Sequence, residues 1–115
     1  MSRRIREYLK HIRDEINYLE AESAGLNKDI FLVDETRKRA FVRSIEVVGE
    51  ATKNIPEEIR KKYPQIQWRA IAGMRDHLIH GYFGIDYDIV WDVLINHIPI
   101  LAEVINLMLD QETFD

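Results

Sequence analysis

No cysteine occurs among the 115 residues of this chain. Disulfides and thiolate-held metals are therefore excluded, and a reducing, cytoplasmic compartment fits. No apolar run approaches the about 18 residues that a membrane-spanning helix needs. Met1-Ser2-Arg3-Arg4 leads directly into an amphipathic pattern rather than an apolar signal segment. Strict alternation of apolar and polar residues, the mark of a half-buried strand, is missing throughout. So are internal repeats, low-complexity tracts and long linkers. Positive charge is not in excess either. The formal net charge of −4 argues against tight non-specific binding to nucleic acid, where many cations must each meet a phosphate. Basic clusters at Arg3-Arg4-Arg6, Arg37-Lys38-Arg39-Arg43 and Arg60-Lys61-Lys62 read singly as solvated helix faces.

What is there is helical periodicity in a single domain, residues 1–115. Ile5, Tyr8, Leu9, Ile12, Ile16 and Leu19 recur at spacings of three and four and mark a helix to about Glu22. Ser23-Ala24-Gly25-Leu26-Asn27 stops it, and a connector with Lys28-Asp29-Ile30-Phe31 leads to Asp34, a candidate N-cap. Phe41, Ser44, Ile45, Val48, Ala51, Thr52 and Ile55 form the stripe of a long second helix. Pro56 opens a short one to Lys62. Trp68 opens a further helix that Gly81 and Gly84 terminate. Asp86 caps the last, whose apolar face runs from Ile89 to Met108 and which Pro99 should kink or interrupt. The expected fold is all-α, an antiparallel helical bundle of four main helices plus a short one.

Chemistry concentrates in Arg75-Asp76-His77-Leu78-Ile79-His80-Gly81-Tyr82. On a helix wheel at roughly 100° per residue, Trp68, Ile71, Ala72, Met74, Leu78 and Ile79 form one broad apolar arc with Arg75 in its middle. A guanidinium buried there unpaired would cost several kcal/mol, so Arg75 should meet an acid, another subunit or an anionic ligand. Asp76 and His80, four apart, are neighbours on one face. An acid beside an imidazole can fix its tautomer and raise its pKa, as proton transfer near neutral pH requires. The planar fork of arginine suits phosphate. These are the parts for phosphodiester chemistry without a metal or other cofactor. Arg75 and His80 lie roughly 140° apart on the wheel. Either the helix distorts near Gly81, or two copies complete one site across an interface.

Arg75, His80 and Tyr82 also spell R-x4-H-x-Y, and the chain resembles the HepT-like toxins of the HEPN superfamily. Further landmarks follow in order: Gly49-Glu50-Ala51, Tyr63-Pro64, Trp68, Met74-Arg75, Tyr82-Phe83 and Trp91-Asp92. The resemblance covers nearly the whole chain and implies a HEPN-like helical bundle, in agreement with the periodicity. It implies a metal-independent endoribonuclease acting as the toxin of a toxin–antitoxin pair. His80 would transfer protons, Arg75 would stabilise charge on the phosphate, and Asp76 would orient His80. Asparagine is the commoner residue at the position of Asp76. A homodimer through the motif helix would set two motifs face to face, and would bury the broad apolar arc. The resemblance further implies an MntA-type nucleotidyltransferase antitoxin that transfers AMP to Tyr82.

Supporting roles fall to Glu50, as a partner for Arg75, and to His77, as a rim residue touching RNA. His11 and His97 read as structural, and Trp68 and Trp91 as core anchors. The alternative function is a non-catalytic HEPN module that binds nucleotides or a partner protein through the same residues.

Overall fold

The computed structural model describes residues 2–78 and 84–113. Every regular element among them is a helix: α1 (Arg3–Ser23), α2 (Lys28–Val33), α3 (Glu35–Thr52), α4 (Glu57–Arg60), α5 (Trp68–Ala72), α6 (Met74–Leu78), α7 (Tyr87–Asn96) and α8 (Ile98–Gln111). The fold is the expected all-α, HEPN-like bundle. Its core joins the stripe of α1 (Leu9, Ile12, Ile16, Leu19) to Phe41, Ile45 and Val48 of α3 and to Leu101, Ile105 and Met108 of α8.

The caps explain most boundaries. Ser2 Oγ accepts from the Ile5 backbone N–H, and Gly25, at φ 76°, lets the chain turn after α1. Asp34 caps α3 as expected. The Arg37 backbone N–H and guanidinium both donate to its carboxylate, which holds the Asp34 carboxyl below its ordinary value. The segment read as a connector is instead the helix α2. Asn27 Oδ1 accepts from the Ile30 N–H at 2.9 Å, and this cap starts the turn. Phe31 then anchors α2, stacked on Phe41 at 5.5 Å and tilted against Trp91 at 5.4 Å.

The interruption expected at Pro99 is present. Pro99 sits in the first turn of α8, and the chain breaks just before it at His97, so that α7 and α8 meet at 46°. No single helix among the described residues is long and apolar enough to cross a membrane. The bent α7–α8 pair spends its apolar face on the core through Val90, Val93, Leu94, Leu101, Val104 and Ile105.

The motif helix is divided as well, at Gly73. This residue caps α5 with φ −92° and ψ 10°, and its N–H donates to the carbonyl of Arg69 at 3.0 Å. Glycine weakens a helix interior, and α5 is already pinned at its start, where the Trp68 indole N–H donates to the Tyr63 carbonyl at 2.9 Å. Gly49 of α3 sets its position from the other side. A Cβ on Gly49 would lie 3.1 Å from the Ile71 carbonyl oxygen, so a side chain here would press on the backbone of α5.

Candidate active site and the adjoining cleft

The break at Gly73 resets the wheel. Met74 and Leu78 turn into the core, while Arg75, Asp76 and His77 are all exposed on α6. The continuous-helix reading that put Arg75 inside the apolar arc is thereby corrected. Arg75 has no ion pair or side-chain hydrogen bond among the described residues. The Glu50–Arg75 pair is not formed either, because the Glu50 carboxylate takes the Lys53 ammonium at 3.0 Å, one turn along α3. Trp68, Ile71, Met74 and Leu78 are buried within the one chain, so this part of the arc does not call for a partner to cover it. His80 and Tyr82 lie outside the described residues, as do Ile79 and Gly81. The Asp86 N–H donates to the Leu78 carbonyl at 2.9 Å, which brings the start of α7 back to the end of α6.

Beside α6 opens a cleft of about 430 Å³ between α5–α6 and α7. Its floor is Ile71, Met74 and Val93, all buried, and its rim is Gln67, Arg69, His77, Asp92 and His97. At one end Asp92 is held from two sides. The Asn96 side-chain amide donates to Oδ1 at 2.7 Å, and His97 Nε2 stands 3.8 Å from Oδ2. His97 occupies the C-cap of α7, where the helix dipole favours a cation.

Sequence reasoning treated His97 as structural because it falls within the apolar stripe of the last helix. The α7–α8 break turns it into the cleft instead. His11 is exposed rather than structural. Trp68 is a buried anchor, and Trp91 is half-buried against Phe31. Gln67, Arg69 and Asp92 carried no motif, and only the Trp91-Asp92 landmark pointed to this wall.

The model of the family described as "Ribonuclease HepT-like" matches residues 4–108. The protein named "Putative RNase TTE0752" from Caldanaerobacter subterraneus subsp. tengcongensis is 44% identical over 107 residues, covering 93% of this chain and 96% of its own. The "Probable ribonuclease HepT" of Thermococcus cleftensis is 39% identical over 101 residues, covering 88% of this chain and 92% of its own. No solved structure matches the chain. With the match running from α1 into α8 and embracing the whole motif, the chain belongs to the HepT-like ribonuclease family.

Proposed function

We propose that this chain is a metal-independent endoribonuclease, the toxin of a cytoplasmic toxin–antitoxin pair. The observation that carries the reading is the exposure of Arg75 and Asp76 together on α6. A permanently charged guanidinium, without an ion pair among the described residues, precedes a carboxylate in a chain of the HepT-like family. In the reaction, a ribose 2′-oxygen attacks the adjacent phosphorus and the 5′-oxygen leaves. The products are a 2′,3′-cyclic phosphate and a free 5′-hydroxyl. His80 moves the proton, Asp76 orients or polarises His80, and Arg75 stabilises charge developing on the phosphate.

The likeness to HepT supports two partners. One is a second copy, bringing two motifs together across a two-fold axis. The other is a nucleotidyltransferase antitoxin of the MntA type that adds AMP to Tyr82. The phosphates added would act as a tethered anion at Arg75, in the place of the substrate. Co-expression followed by mass spectrometry tests this step, with AMP mass increments expected on Tyr82. Neutralisation of the toxin with Tyr82 unmodified refutes it.

The activity itself is tested with purified, unmodified protein, cellular RNA and EDTA. Cleavage is expected from the wild type and not from Arg75→Ala or His80→Ala. Toxicity retained by His80→Ala would instead favour a binding module without catalysis.

A further inference from the structure

We propose that the cleft between α5–α6 and α7 is a nucleobase subsite, holding one base of the RNA strand on the side of α6 away from Arg75. The inference rests on the ribonuclease reading and adds to it a determinant of where the strand is cut.

The shape and chemistry of the cleft support this occupant. Its volume of about 430 Å³ falls within the roughly 300–1,000 Å³ range of small-ligand pockets. The floor of Ile71, Met74 and Val93 offers an apolar surface for the flat face of a base. Polar groups stand only around it. The Gln67 amide presents both a donor and an acceptor, and the His97 imidazole adds a second group able to bond a base edge. Asn96 donates to Asp92 at 2.7 Å, and His97 Nε2 stands 3.8 Å from the same carboxylate, which keeps the imidazole at the rim of the cleft. Single-stranded RNA is read in this way, by splayed bases packed on a surface and bonded along their edges.

Connection to the motif runs through α6. His77 lines the cleft and is two residues from Arg75 on the same short helix. The two side chains point roughly 200° apart around the helix, so a strand with a phosphate at Arg75 passes over α6 to set a base in the cleft. The opposite rim supplies a continuation. Arg69 lines this cleft and also a second, shallower one with Arg60 and Lys61. Neither Arg69 nor Lys61 has an ion pair among the described residues, so both cations are available to the strand's phosphates. The path gives a weakly acidic protein a short cationic track through Arg69 and Lys61, while Arg60 donates to the Thr52 and Ile55 carbonyls and Lys62 pairs with Glu112. Glu57 on the second cleft limits that track to a short stretch.

The test has two arms. In the first, ¹⁵N-labelled protein is titrated with the four nucleoside 5′-monophosphates and followed by NMR, beside Ala70→Trp. Ala70 is exposed and lines the cleft, so a bulky ring there obstructs it without entering the core. Shifts are expected at Gln67 to Gly73, at Asp92–Val93 and at His97, unequal among the four bases and lost in Ala70→Trp. Shifts confined elsewhere overturn the subsite. So do changes at the cleft that follow protein concentration rather than nucleotide, which assign it to a second copy.

In the second arm, cleavage sites are mapped by sequencing the RNA ends. Ala70→Trp and His97→Ala should relax base preference near the cut and raise KM at least threefold, with residual cleavage at the same bond chemistry. Arg69→Ala should weaken all sequences alike. An unchanged site profile in Ala70→Trp overturns the subsite while leaving the nuclease intact. No cleavage by wild type removes the nuclease reading, and the first arm then decides the cleft alone.

Discussion

At the scale of single residues, Arg75 separates catalysis from stability. A buried guanidinium would couple the two, since removing it would disturb the core. Arg75 is exposed and unpaired among the described residues, so Arg75→Ala should leave stability within about 0.5 kcal/mol of wild type. Its cost falls on the reaction. Loss of a group that meets charge developing in a transition state lowers the rate by roughly 10²–10³-fold. Thermal denaturation and single-turnover cleavage, measured on one preparation, check both halves. A variant that is both inactive and unstable by more than about 2 kcal/mol would place Arg75 in the framework of the fold instead. His80→Ala is expected to lose roughly 10²–10⁴-fold, the usual contribution of a positioned proton-transfer group.

At the scale of elements, the motif is placed by two glycines on different helices. Gly73 ends α5 and turns Arg75 outward. Gly49 lets α3 approach the last turn of α5, where its missing Cβ would meet the Ile71 carbonyl oxygen at 3.1 Å. Alanine at position 49 gains about 1 kcal/mol of helix propensity but overpacks against backbone, at a cost of about 1–3 kcal/mol. The atom it meets is backbone of α5, not the end of a flexible side chain, so the neighbour yields poorly. Gly49→Ala should therefore be less stable by about 1 kcal/mol, the difference of those terms. It should shift the amides of Ile71 to Asp76 and lower cleavage. Unchanged amides and activity would show that α5 moves aside freely.

Much at this scale was legible from residue patterns, and what was not has a local cause. The stripes of α1 and α3 and the caps at Asp34 and Asp86 are read from spacing, because one face of each helix meets the core. The Gly49-Glu50-Ala51 landmark was legible, but its reason, contact with α5, is tertiary. α2 was missed because Asn27 signals a helix start no more strongly than it signals a loop, and Phe31 decides only by finding Phe41 and Trp91. The outward turn of Arg75 was missed because the wheel assumes one continuous helix, and a single glycine suffices to end one. The break near Pro99 was legible, but that it turns His97 toward α5 and α6 is tertiary.

At the scale of the whole molecule, one contact ties the end of the chain to its middle. The buried Tyr63 hydroxyl donates to Glu112 Oε1 at 2.8 Å, and Lys62 reaches the other carboxylate oxygen at 3.5 Å. The same Tyr63 presents its carbonyl to Trp68, so the tie and the start of the motif segment share a residue. Burial, with the hydrogen bond to Glu112 and its charge, pushes the Tyr63 phenol up to about 12 from its ordinary 10.0. A raised value means that the folded state holds the proton more tightly than the unfolded chain. The contribution is complete below pH 10.0 and is lost as the pH climbs from there to about 12. Other groups titrate in that window, so the informative quantity is the gap in denaturation midpoint between wild type and Tyr63→Phe. Wild type should be the more stable, with a constant gap from pH 7 to 9. The gap should shrink steadily above pH 10.0. A gap that stays level through pH 11.5 would mean that the phenol is not held protonated, and that the end of α8 is secured by its apolar face alone.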